Sequence, residues 1–176
     1  CVGDLSIWRH VRLRRYWRIW RDLVSGNFET HFTVSSHDVK RAPALARDFF
    51  AWHDSIPQGR PFFAFLNMFD AHDPYDPPPE FLEAVSGPNP RTLDRYHGSI
   101  RFVDDVTGRL LRELDRRGVL ENTIVVITSD HGEQFGEHGL TLHGNSLYRQ
   151  AIHVPLLVRY PAAAPSGIRV TTPVTI

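Results

Sequence analysis

Residues 123–133 read TIVVITSDHGE: six strand-forming residues run without a break into a polar loop. β-Branched residues dominate the first six, and an apolar run of this length suits a strand covered on both faces. Just upstream, residues 92–117 predict a helix. Leu93, Tyr96, Ile100, Val103, Leu110, Leu111 and Leu114 form its apolar stripe, and Gly118 closes it. Downstream, a short helix is expected around 146–152, followed by VPLLVRY at 154–160 as a second strand. Earlier in the chain, PFFAFLNM at 61–68 is another strand-length apolar run, entered through the breakers Pro57, Gly59 and Pro61. Before it, Val39, Leu45, Phe49, Phe50 and Trp52 pattern residues 37–54 as a helix, and IRVTTPVTI at 168–176 reads as a last strand. Alternating strands and helices argue for an α/β sheet with helices on its faces. In such sheets polar ligands gather beyond the carboxyl ends of the strands. The two loops richest in Asp and His follow the runs at 61–68 and 123–128, at that end.

Composition narrows the function classes. The chain has 176 residues, enough for one domain with a real core, and 41% hydrophobic with 23% charged residues is a globular balance. Lys+Arg and Asp+Glu are both 20, so the formal net charge is zero and a globally basic nucleic-acid binder is not expected. The single cysteine, Cys1, allows no intrachain disulfide and no cysteine-based zinc site. No stretch reaches the ~18–20 apolar residues of a membrane span. Met68 is the only methionine, and the chain reads as a piece of a longer protein. Residues 5–24, within a first unit drawn at 1–30, pattern as an amphipathic helix with an arginine face. That helix suits either packing on its domain through its tryptophans or contact with a membrane surface, phosphate or nucleic acid.

The loops carry the candidate chemistry. Asp130 and His131 are adjacent at a strand end and offer an anionic oxygen and an imidazole nitrogen to one divalent ion; the same pair also suits a solvated loop. Gly132 is expected to let the backbone pass close to that ion. His131, His138 and His143 are spaced seven and five apart, which is not the two-histidine spacing of a metalloprotease helix. His138 reads as a surface residue. His72, between Asp70 and Asp73, either contacts an anionic ester oxygen and protonates a leaving group, or hydrogen-bonds a neighbouring carboxylate. Asp104 and Asp105 read as surface charges of the long helix. His10, His31, His37, His53, His97 and His153 have no partner pattern. A phosphate-binding glycine loop ending in Lys-Ser/Thr and a Gly-x-Ser-x-Gly elbow are both absent from the sequence.

Together the motifs resemble one family. PFFAFLNMFDAHDPYDPP is similar to the sulfatase segment in which a phenylalanine-rich strand leads to a histidine, Pro-Tyr and prolines. RYHGSIRFVDDVTGRLLRELDRRGVLENTIVVITSDHGEQFGEHG resembles the family's long helix, strand and Ser-Asp-His-Gly-Glu loop, and HGNSLYRQAIHVPLLVRYP its next block. The blocks keep the family's order and cover about residues 48–161. The resemblance implies an α/β/α sandwich of the alkaline phosphatase superfamily around a mostly parallel sheet, present here incompletely, with 31–176 as a partial catalytic domain. It implies a divalent metal at Asp130 and His131, calcium first and manganese or zinc next. It places His72 and His143 on the anionic group of a sulfate-ester or phosphate-ester substrate, as catalytic and substrate-binding residues. It points to an exported or membrane-anchored protein. Sulfatases also carry a Cys/Ser-x-Pro-x-Arg nucleophile motif, which this sequence lacks, so the 176 residues alone are expected to show no turnover. Phosphoethanolamine transferases and phosphonate ester hydrolases share the Ser-Asp-His-Gly-Glu loop and form the next reading; a non-catalytic anion-binding remnant is the third.

Overall fold

The computed structural model describes residues 39–161 and 167–175. The unit drawn at 1–30, with its arginine-faced helix, lies outside the described residues, as do His10, His31 and His37. Residues 40–176 group into one compact unit. No described helix is long and apolar enough to cross a membrane.

The first described helix, α1, runs Ala42–Ser55, against an expected start at 37. Its start is set by two features. Pro43 occupies the first turn, where its missing N–H is harmless. The Ala42 N–H donates to the buried Asp70 carboxylate at 2.7 Å, and Arg41 Nε lies 2.8 Å from the other oxygen of that carboxylate. Asp70 therefore caps a helix 28 residues before it in the chain. A short helix, α2 (Pro79–Glu83), leaves the proline cluster and leads to α3 (Thr92–Arg116), close to its expected bounds. Asp94 accepts from the Arg91 N–H at 2.9 Å and caps α3. At the other end Gly118 turns left-handed with φ 69°.

The buried stripe of α3 is shifted from the expected one. Ser99, Phe102, Val106, Leu110 and Leu114 are buried, whereas Ile100 is exposed. Both sets have helical spacing; the neighbours choose between them. Phe81 of α2 meets Phe102 at 5.2 Å between ring centroids. A Cβ on Gly98 would stand 3.0 Å from Pro77 Cγ and 3.2 Å from the Leu82 backbone. Phe49 of α1 joins Leu110, Leu114 and Leu120 in the main core, with Phe62, Leu66, Met68 and Val125 packed against it.

Strand β1 (Val125–Thr128) continues from that core, and β4 (Leu156–Arg159) pairs with it in antiparallel register, Val126 opposite Val158. The described residues contain no parallel ladder. A second antiparallel pair joins β2 (Gln134–Phe135) to β3 (Thr141–Leu142). The helix expected around 146–152 is present as α4 (Arg149–Ile152). Two expected strands are not formed. Residues 61–68 have no ladder partner among the described residues: Phe62, Leu66 and Met68 face the core, while Phe63 and Phe65 are each 80% exposed. Residues 168–175 are likewise irregular. An apolar run supplies the side chains of a strand, but a strand exists only where another supplies its hydrogen bonds.

Candidate active site

Two loops build the site. The first, residues 69–76, follows the apolar run at 61–68 as two overlapping turns. The His72 N–H donates to the Phe69 carbonyl at 3.1 Å, and the Tyr75 N–H donates to the His72 carbonyl at 3.1 Å. The turns stack the His72 ring on Phe69 at 4.3 Å and drive Tyr75 inward, where it is 1% exposed. The second loop leaves β1 at Ser129. The Ser129 hydroxyl donates to the His131 carbonyl at 2.7 Å, and Asp130 Oδ1 accepts from the His131 N–H at 3.0 Å.

Gly132 makes a close approach to a neighbouring backbone. A Cβ there would lie 2.0 Å from the Gln150 carbonyl oxygen, and its N–H donates to the Ala151 carbonyl at 2.7 Å. The close approach is to the backbone of α4.

The chain then returns through the β2–β3 hairpin. Gln134, fully buried, holds the return: its Nε2 donates to Asn145 Oδ1 at 2.7 Å and to the Leu142 carbonyl at 3.3 Å, and its Oε1 accepts from Ser146 Oγ at 3.1 Å. His143 thereby comes back beside Glu133. Its ring stacks on His131 at 3.9 Å and meets His72 edge-on at 5.2 Å. Three histidines that lie 59 and 12 residues apart in the chain thus share one place, with Asp130 beside them. Asp130 Oδ2 is 3.8 Å from His131 Nε2, and the Asp130 side chain is 87% exposed. His138 stays out of the cluster and stacks on Tyr148 at 3.8 Å. Asp105 pairs with Arg109 on the helix surface at 2.9 Å.

The three rings have one feature in common. His72 Nδ1 lies 2.8 Å from the Asp73 carbonyl oxygen, and His131 Nδ1 lies 2.8 Å from the Gly132 carbonyl oxygen. His143 Nδ1 lies 3.1 Å from Glu133 Oε1. A carbonyl or carboxylate oxygen only accepts, so each Nδ1 carries the proton and each Nε2 is left for other partners.

Glu133 and Tyr75 are the members that sequence reasoning passed over. The Glu133 side chain is 5% exposed, and the Tyr75 hydroxyl donates to its Oε2 at 2.6 Å. Burial first, then the Glu133 hydrogen bond and charge, push the Tyr75 phenol well above its ordinary pKa, so it stays a donor. Tyr96 and Phe135 pack on the Tyr75 ring at 5.4 and 5.9 Å. The available signals were a tyrosine wedged among prolines and a glutamate two places after His131.

Among the described residues no group of three or more His, Cys, Asp or Glu side chains is arranged to hold a metal ion, so Asp130 and His131 stand as a pair. The sulfatase family profile matches residues 32–175. The chain belongs to the sulfatase family. Over 72 residues it is 42% identical to an N-acetylglucosamine-6-O-sulfatase of Bacteroides thetaiotaomicron, covering 41% of this chain and 13% of that protein. It is 29% identical over 132 residues to an ulvan-active sulfatase of Formosa agariphila, covering 65% and 26%. This sulfatase chain therefore spans about a quarter, or less, of those two relatives. Its fold is shared with the crystal structure of Ps i-CgsB in complex with k-i-k-neocarrahexaose, at TM-score 0.65 and 22% identity over 92% of this chain and 39% of that one.

Proposed function

We propose that the three-histidine cluster is the anion-binding part of a sulfuric ester hydrolase site. The observation that carries this reading is the shared hydrogen-bond pattern: Nδ1 is tied to the protein in His72, His131 and His143, which turns Nε2 of each away from that tie, in His131 toward Asp130. At His72 and His143 a proton gained by the ring goes to Nε2, because Nδ1 already holds one. An imidazolium so oriented donates from Nε2 to an ester oxygen, or passes that proton to the departing alcohol. The Phe69 stack holds the His72 ring while it does so.

Asp130 and His131 fit one divalent ion. Their donors are 3.8 Å apart, the carboxylate is open, and the Gly132 carbonyl keeps the lone pair of His131 on Nε2. We assign them as two of its ligands, calcium being favoured by the carboxylate and manganese or zinc by the imidazole. A bound ion supplies positive charge against the oxygens of the transferring group. The complete domain is proposed to be an α/β/α sandwich around a mostly parallel sheet, supported by the family membership and by the shared fold of the solved relative. The substrate is proposed to be a sulfate ester, supported by the relatives' names.

The test assays the protein that carries this chain on an aryl sulfate and on the matching aryl phosphate, before and after chelation. Sulfate turnover is expected to exceed phosphate turnover, to vanish on chelation, and to fall about 100-fold or more in His72→Ala and His143→Ala. Preference for the phosphate moves the protein to phosphoryl chemistry, and turnover indifferent to both histidines overturns the site.

A further inference from the structure

We propose that Glu133, held by Tyr75, is the positioning residue of His143: it orients the ring so that Nδ1 faces the protein and Nε2 is presented to the substrate's anionic group. Only the last clause rests on the functional reading above; the orientation stands on geometry.

Glu133 holds both partners at once. Oε2 takes the Tyr75 hydroxyl at 2.6 Å, and His143 Nδ1 straddles the carboxylate, 3.1 Å from Oε1 and 3.3 Å from Oε2. A carboxylate this deeply buried is costly unless both oxygens are satisfied, and these two contacts satisfy them. Neither partner is casually placed. Tyr75 sits at φ 51°, a region bulky residues rarely adopt, and its ring is packed between Tyr96 and Phe135. Glu133 follows Gly132, whose backbone is pinned to Ala151. His143 follows β3, whose register with β2 is locked by Gln134. Three segments distant in sequence converge on one carboxylate, and the group it aims is a ring in contact with both His72 and His131. A role confined to tying the two loops together needs the Tyr75–Glu133 bond alone. It places no demand on which nitrogen of His143 bears the proton.

The experiment reads that nitrogen directly. The protein that carries this chain, ¹⁵N-labelled on histidine, is examined by long-range proton–nitrogen correlation of its histidine rings, about two units above the ordinary histidine pKa. The His143 signal is assigned by its loss in His143→Gln. In the parent the Nδ1–H form should exceed the Nε2–H form at least about tenfold, as expected for a hydrogen bond to a charged acceptor. Glu133→Gln keeps the shape and removes the charge; the ratio should fall about fivefold or more. Tyr75→Phe removes only the hydroxyl; the ratio should fall about threefold. His53 and His97 should not move. Three outcomes overturn the proposal: a parent ring at the free-imidazole ratio, a ratio unchanged in both variants, or a Glu133→Gln chain whose whole spectrum collapses, which would put the carboxylate's role in the fold. The expected ratios in a protein without sulfate-ester turnover would sustain the positioning and overturn the functional reading alone.

Discussion

Helix α3 and the strand pair β1–β4 are both rich in apolar residues, and they are covered very differently. Phe102, Val106, Leu110 and Leu114 are all buried between α1, α2 and the 61–68 segment. Val126, Leu157 and Val158 are more than half exposed. A helix satisfies its own backbone and needs only a neighbour along one stripe, which α1 provides through Phe49. A sheet needs partners on its edges and cover on both faces, and β1 and β4 each have one edge partner among the described residues. The 61–68 run makes the same point within one segment, since one side of it meets the helices and the other carries exposed Phe63 and Phe65. Among the described residues the helical packing is therefore closed, while the sheet side is open.

The contrast can be tested by substitution. The largest effect is expected where the two halves are tied through the site loop: Gly132→Ala forces a Cβ into the Gln150 carbonyl, with an expected loss of about 4 kcal/mol or more. Denaturant unfolding would show it, together with loss of the His131–His143 arrangement. Next, Leu114→Ala on α3 should cost about 3 kcal/mol, while Val158→Thr on the open strand face should cost less than about 0.5 kcal/mol. Equal losses at the two positions would mean that the strand face is covered in solution. Asp70→Asn weakens the cap of α1 and the Arg41 pair while keeping the shape, and should cost about 1–2 kcal/mol by thermal melting.

The smallest effect is electrostatic. Hydrogen bonds from Arg116 and Arg117 hold the Glu113 carboxyl down to about 2 from a reference of 4.5. A depressed carboxyl stabilises the fold above its unfolded pKa, and that contribution disappears as pH falls from about 4.5 to about 2. Glu113→Gln should flatten the acid limb of a pH–stability curve in that window by lowering the neutral plateau slightly, the loss being small because the ion pairs are solvent-screened, and leave stability below about pH 2 nearly unchanged.

The site was partly legible in the chain. Asp130, His131 and His72 stand out because charged and imidazole groups just past apolar runs have few structural reasons to be there, whereas His143 was expected through the family resemblance. Glu133 and Tyr75 do not stand out. Neither residue type signals a buried pairing, and the bond between them spans 58 residues. The shifted stripe of α3 has the same origin, since two arcs of one amphipathic helix look equivalent until α2 packs on one of them.

Periodicity and breakers were enough to establish that α1 and α3 are helices, roughly where they end, and which loops hold the histidines. These are properties of neighbours within a few residues, where propensity, caps and spacing act. Long-range packing was needed to select the face of α3 and to pair β1 with β4 antiparallel. It also left 61–68 without a ladder and turned Nδ1 of His143 onto Glu133. Each of these depends on a partner more than a helical turn away in sequence, and no local energy distinguishes among such partners before the chain has closed its loops.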